Sequence, residues 1–297
     1  MKVRVGFGLG TQTPLDAATF ATVVDALETL RFDSLWLSER ITGAAPDPLI
    51  GLAVAAGRTR RLKLGTSVLV LPGRSPALLA STLASLDQLS GGRLLPAVGL
   101  GVVDPAEQQA FGVAREDRAG WVEEALPLLR RFWSGEAVTH DGPRFHYDGL
   151  TVQPLPAQSP PDVWFGGIAP SELRRTGRLG DGWLPSFCTP DDAAAARPVI
   201  EQAADEAGRA IDPEHFGALV TYVHDEIPER LARLVTRRRP DTDPRDIVPV
   251  GLPALRALLE RFVERGFSKF VVAPVQEPPS WDDELAGLAE HLQPLQN

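Results

Sequence analysis

Few residues in this chain of 297 are of types and spacings that do chemistry, and they fall into short clusters. Glu39-Arg40 sets a carboxylate beside a guanidinium. Such a pair offers an acid next to a permanently charged donor that orients a ligand or stabilises a developing anion. The same two residues on a rim are also an ordinary surface ion pair of small energetic worth. Gly166-Gly167-Ile168-Ala169-Pro170-Ser171 forms a second cluster. Adjacent glycines let the backbone approach a ligand closely, and a helix that begins after them presents unpaired N–H groups and partial positive charge suited to phosphate. Arg174 and Arg175 follow one turn later, although a plain tight turn explains the same glycines. His140, His146 and His224 are candidate proton carriers, the last at a strand end and the first two in an irregular segment. No HxH or HExxH spacing supports a metal site, and no GxSxG or Ser/Cys–His pattern supports acyl transfer. Chemistry in this chain is therefore expected from a bound cofactor.

Such clusters need a frame, and the apolar pattern supplies one. Residues 62–101 read as strand, turn, amphipathic helix and strand. An apolar run ends at Pro72-Gly73, Ser75 caps a helix with Pro76 in its first turn, and Leu78, Leu79, Leu83, Leu86 and Leu89 follow helical spacing. Gly91-Gly92 then ends the helix before a second apolar run. The βα unit recurs, with strands predicted at 3–9, 33–37, 62–71, 94–100, 162–165, 182–185, 216–224 and 267–273. Helices are predicted between them, with a pair over 104–111 and 116–133 and a last helix from Trp281. Eight strands in this rhythm predict an α/β fold, a single (β/α)8 TIM barrel over residues 1–297. Barrel sites form at the C-terminal ends of strands, which selects residues 8–11, 37–40, 66–74, 99–104, 166–171, 183–186 and 221–224. Residues 135–161 are rich in Pro, Gly and His and are expected to be an excursion, either over the active-site rim or as a surface arm or dimer contact.

Composition narrows the partners. A net charge of −9, with 43% hydrophobic and 23% charged residues, fits a globular protein and argues against a nucleic-acid partner. The lone Cys188 excludes an internal disulfide and a multi-cysteine metal site. No apolar run approaches the ~20 residues of a membrane span, and the first residues carry no signal-peptide pattern. The expectation is a cytoplasmic protein without a membrane partner.

FDSLWLSER (32–40), LGTSVLVLPGRSP (64–76), STLASLDQLSGGRLLPAVGLG (81–101), EQQAFGV (107–113), PPDVWFGGIAP (160–170) and LGDGWLPS (179–186) form an ordered set of motifs. Together they resemble the bacterial luciferase-like flavin and deazaflavin oxidoreductases, and they are most similar to the branch that uses coenzyme F420. GLPALRALLERFVERGFSKFVV (251–272) extends the resemblance toward the last strand. The resemblance implies a (β/α)8 barrel, coenzyme F420 or alternatively FMN, a small-molecule substrate and a homodimer. It implies a non-prolyl cis peptide at Ser67-Val68 behind the tricyclic ring, and a phosphate segment at Gly166, Gly167 and Ile168 flanked by Trp183 and Leu184. Glu107 stands as the nearest equivalent of an acid that some relatives place after strand four. One departure matters. Deazaflavin dehydrogenases of this type often carry an acid-His pair after strand two, and here the pair is Glu39-Arg40. Arginine does not shuttle protons near neutral pH. Arg40 is thus expected to orient substrate or stabilise an anion, with Glu39 against the ring or its tail. The implied reaction is hydride transfer between coenzyme F420 and a small organic substrate. An FMN-dependent monooxygenase using O2 is the first alternative, and a cofactor-binding protein without turnover is the second.

Overall fold

The computed structural model describes residues 1–296. Strand and helix alternate from the start: β1 (Arg4–Leu9), α1 (Ala17–Thr29), β2 (Ser34–Leu37), α2 (Pro48–Arg58), β3 (Lys63–Thr66), β4 (Leu69–Val70) and α3 (Pro76–Ser90). Next come β5 (Leu94–Leu95), β6 (Ala97–Gly99), α4 (Pro105–Phe111), α5 (Arg118–Trp133), β7 (Val138–Asp141), β8 (His146–Leu150), β9 (Trp164–Phe165) and α6 (Pro170–Leu179). The chain closes with β10 (Gly182–Trp183), α7 (Pro190–Glu206), β11 (Gly217–Tyr222), α8 (Glu229–Arg238), α9 (Leu252–Glu264), β12 (Lys269–Pro274) and α10 (Trp281–Leu292). Local chemistry explains most helix starts. Asp16, Asp47, Ser75, Asp104, Thr189 and Ser280 each accept a backbone N–H of the first turn through the side chain.

The strands pair in parallel in the orders β11-β12-β1-β2-β3-β5 and β10-β9-β6-β4. Parallel bridges Trp183↔Phe216 and Ser186↔Leu219 carry the second sheet onto β11. With β3 running on into β4 and β5 into β6, the two sheets make one ring, as the strand rhythm predicts. The strand expected over 62–71 is interrupted at Ser67-Val68, whose peptide bond is cis, and that over 94–100 is interrupted at Pro96.

The ring is filled rather than hollow. Trp36 and Trp164 meet edge to face inside it at 6.5 Å between centroids, packed with Ala97, Leu184 and Val271. Glycine makes the room: a Cβ on Gly65 would stand 2.3 Å from the Trp36 ring, and one on Gly182 would stand 2.4 Å from that of Trp164. At the N-terminal floor, Lys269 is buried, bonds Asp33, and places its Nζ 5.7 Å from the centroid of Trp36. The larger core lies between the ring and the helices. These layers hold the strand ends of the opposite face, the mouth, at fixed positions.

Of the two expectations for residues 135–161, the structure shows the surface arm and not the rim cover. These residues contain an antiparallel hairpin, β7 with β8. It climbs the outer flank, where Phe145 meets Trp121 of α5 at 5.1 Å, Ser81 Oγ donates to the Gln153 carbonyl at 3.0 Å, and the Gln158 N–H donates to Asp87 at 2.8 Å. The reason is topological. A connection from a helix to the next strand returns the chain to the barrel floor, whereas the mouth is built from strand-to-helix connections.

Candidate active site

Two adjoining chambers open at the mouth, of about 340 and 390 Å³, and they share Thr11, Ser38, Ser67, Ser186 and Leu219. The first runs from the end of β2 past Val68 and residues 98–102 to Gly166 and Gly167, with Arg40 and Arg175 in its wall. Among the described residues no histidine lines either chamber. His140 and His146 sit on the flank against Glu124 and Asp141. His224 turns outward to Glu284 at 2.7 Å, beside Tyr222, which bonds the same carboxylate.

Glu39 is buried and its carboxylate is fully engaged. One oxygen accepts the Val70 N–H at 2.7 Å and the other pairs with Arg74. Burial pushes the carboxyl up, and the opposing pull of Arg74 and of the Val70 N–H does not cancel it. The residue staples the end of β2 to the turn that leads into α3. Beside it, Ser38 Oγ donates to the Ser67 carbonyl at 2.6 Å and the Ser67 N–H donates to the Leu37 carbonyl at 2.8 Å. The cis Ser67-Val68 peptide is thereby fixed as a wall of the first chamber.

Arg40 differs from its neighbour. Its terminal nitrogen lies 3.5 Å from Asp104 and its Nε lies 3.8 Å from Glu107, yet Nε is buried with no hydrogen-bond acceptor. Glu107 is buried and turned to other partners, accepting the Thr42 N–H at 2.7 Å, the Thr42 hydroxyl at 2.6 Å and the Ile41 N–H at 3.3 Å. Burial works to raise its pKa, but these bonds and the Arg40 charge outweigh it and hold the carboxyl below its usual range. Glu107 therefore anchors the β2 exit loop as an ionised carboxylate.

The glycine turn holds a surprise. Gly167 adopts φ of 88°, and its carbonyl accepts the Trp183 indole N–H at 2.9 Å. The N–H groups of Ile168 and Ala169 point as the sequence predicts for anion binding. They are already taken by Glu172 Oε2, at 3.1 and 3.0 Å. Helix α6 thus caps itself with its own first-turn acid. A Cβ on Gly167 would stand 2.5 Å from that carboxylate. Arg175, one turn on, is buried, 3.4 Å from Glu123, and its Nε has no hydrogen-bond partner.

The structure brings Glu39, Arg40, Ser67, Val68, Glu107, Gly166, Gly167 and Leu184 to one chamber. It leaves Ile168 and Trp183 out of the wall. Trp183 is fully buried and acts on the turn from behind through its hydrogen bond to Gly167. Glu172 and the shared Thr11, Ser38 and Ser186 complete the walls, and Arg74 is bonded to Glu39. All but Glu172 lie in the strand-end segments selected from the sequence; its signal, an acid in a helix first turn, was weak.

A cavity with apposed glycines, a flat apolar wall at Val68 and Leu184, and two buried guanidinium donors without acceptors fits a planar ring carrying an anionic tail. Comparison with known proteins agrees. The sequence profile described as luciferase-like monooxygenase matches residues 2–252. The chain is similar to an F420-dependent glucose-6-phosphate dehydrogenase of Nakamurella multipartita, 30% identical over 71% of this chain and 64% of that protein. It is similar to a 4-hydroxyprotoasukamycin monooxygenase of Streptomyces nodosus subsp. asukaensis, 31% identical over 78% of this chain and 68% of that one. The aligned region thus falls just short of two thirds of the first relative's length and just above it for the second. Among solved structures, monooxygenase RslO1 from Streptomyces bottropensis superposes with a TM-score of 0.81 at 22% identity, over 98% of this chain and 99% of that one.

Proposed function

The chain belongs to the luciferase-like monooxygenase family, whose profile spans residues 2–252, and from that premise we propose that it oxygenates a small organic substrate with reduced FMN and O2. At the coarser level it is a flavin- or deazaflavin-type oxidoreductase. The single observation that carries the finer reading is the state of the acids at the mouth. Glu39 and Glu107 are both locked by donors, and no histidine lines the chambers. Reduction of a carbonyl by hydride needs a proton delivered to the substrate oxygen. Glu172 is likewise engaged by the glycine turn, so apart from the exposed Glu277 at the rim of the second chamber these walls offer hydroxyls for that step. Reduced FMN would itself supply the two electrons with which O2 gives one oxygen atom to substrate and one to water.

The residues have defined parts in this reading. Val68 and Leu184 hold the ring, and Gly166 and Gly167 admit the tail. Arg175 offers a buried charge toward the phosphate. Arg40, with its unpaired Nε, faces the reacting end and stabilises negative charge that develops there. Glu39 and Glu107 position Arg74 and the loop that carries Arg40. A second reading, hydride transfer from coenzyme F420, is favoured by the identity with the F420-dependent dehydrogenase. There Ser38, Thr11 or Ser186 would carry the proton. Titrating purified protein with FMN and with F420 while following ring fluorescence separates the two. Tight FMN binding, with product carrying ¹⁸O from ¹⁸O2 under a reductase system, supports the first. F420 binding without FMN binding overturns it.

A homodimer is part of the same proposal. Ile50 and Val54 of α2 and Leu78 and Leu89 of α3 are exposed by 66, 48, 74 and 84%, an unusual set of apolar side chains on neighbouring helices. Sedimentation of Leu89→Glu as a monomer beside a dimeric parent is the expected outcome.

A further inference from the structure

The second mouth chamber differs in chemistry from the first. We propose that it binds the organic substrate, and that this substrate is an uncharged molecule with an apolar body and one or two oxygen acceptors, of the class of ketones and esters. The inference rests on the reading of the first chamber as a cofactor site, since the two share Thr11, Ser38, Ser67, Ser186 and Leu219.

The volume, about 390 Å³, lies in the range of small-molecule sites. Phe187, Leu231, Pro274 and Val275 supply apolar walls, and Thr13 and Thr221 supply hydroxyls. Among the described residues no lysine, arginine or histidine lines the chamber, and its one ionisable wall is the exposed Glu277. The first chamber has Arg40 and Arg175 instead. A carboxylate or phosphate that entered the second chamber would lose hydration, find no counter-charge, and meet a carboxylate at the rim. A neutral carbonyl compound meets none of these penalties. Its oxygen would find the hydroxyls of Thr11 and Ser186 on the border with the first chamber, on the side of the proposed cofactor site.

Phe187 is a second, independent pointer. It adopts φ of 56°, a left-handed backbone that bulky residues avoid. Such residues persist only where the surroundings hold them, and they gather at ligand-binding sites. Here the ring packs against a small core of Val223, Val235, Ile247 and Val248, with the Arg238 guanidinium 5.3 Å from its centroid. Arg238 is not itself a wall of the chamber. The strained turn therefore places Phe187 in the cavity wall, backed by that core.

Calorimetric titration without cofactor tests this directly, using menthone as the neutral probe and cyclohexanecarboxylate and glucose 6-phosphate as anionic ones. Menthone should bind, and each anion should bind at least about tenfold more weakly. Phe187→Ala should weaken menthone roughly tenfold, the worth of one aromatic contact. Leu231→Arg should strengthen cyclohexanecarboxylate several-fold while weakening menthone, and this variant decides the matter if Phe187→Ala does not fold. Anions binding as tightly as menthone, or menthone indifferent to both substitutions, overturns the inference. Cofactor titration of the same samples keeps the two readings apart. Lost probe binding with intact cofactor binding sinks only the substrate class. Lost cofactor binding with intact probe binding sinks only the cofactor site.

Discussion

The two ends of the barrel both bury charge, and they treat it in opposite ways. At the floor, Lys269 bonds Asp33, and Lys63 stands 3.7 Å from the same carboxylate. The Arg93 guanidinium donates to five oxygens there, among them Thr59 Oγ1 and the Leu62 carbonyl, both at 2.7 Å. These charges are answered by the chain itself. At the mouth, Arg40 and Arg175 each keep a buried Nε without an acceptor. Leaving a buried donor unmet costs about 1–3 kcal/mol, and the two at the mouth face the chamber proposed above to hold the cofactor. The chain answers its own charges at the floor and leaves these two donors open at the mouth, on one set of strands.

Breaking the floor should have the largest effect. Asp33→Ala leaves the Lys269 ammonium buried without its partner, and urea unfolding should show a loss of about 3–5 kcal/mol. Cofactor affinity of the folded fraction should stay within about twofold, because the substitution touches no wall of the mouth. A loss below about 1 kcal/mol would erase the contrast between the ends. At the mouth the pattern reverses. Arg40→Met should lower kcat/KM by about 10²-fold, the effect of removing one preorganised donor. Its unfolding free energy should move by less than about 1 kcal/mol, since its ion contacts, at 3.5 and 3.8 Å, are long.

Glu172→Ala tests the turn between these extremes. It frees the Ile168 and Ala169 N–H groups for phosphate, so FMN should bind roughly tenfold more tightly. The price is a lost helix cap, about 1 kcal/mol. Weaker FMN binding would instead make Glu172 a partner of the cofactor. The floor can also be tested through a slope with pH. Burial, only partly offset by Asp33, lowers the Lys269 pKa to about 8 from its ordinary 10.5. Between those values the unfolded chain holds a proton that the folded chain lacks, so this group makes stability rise with pH across that window. Unfolding measured at pH 8 and pH 10 should show the rise in the parent and its absence in Lys269→Met.

Much of the frame was legible in the sequence because barrel strands and helices declare themselves through apolar runs and caps. Ser75-Pro76 and Asp47-Pro48 start helices where such pairs should. The hairpin β7–β8 was not legible: its exposed strands alternate no apolar face, so period two carries no signal. Its place on the flank followed from its position after a helix, a topological cue that composition obscures. At the site, Gly166-Gly167 and Glu39-Arg40 come from distant segments and line one chamber. What they left hidden was partnership. That Glu39 spends itself on Arg74 and that Glu172 fills the anion turn depend on distances between segments that no spacing records.

Ring closure has a consequence for how the chain is made. β1 is completed by β12, and the Val5 N–H finds its acceptor on Gln296, 291 residues later. At roughly 5–20 residues per second, a ribosome holds β1 beside β2 but without β12 for on the order of 15–60 s. Throughout that interval one edge of the nascent sheet is open and the floor pair of Asp33 and Lys269 is unmade. The seam between β1 and β12 is the ring's longest-range strand pairing, and wherever it is unmade an aggregation-prone sheet edge is bared.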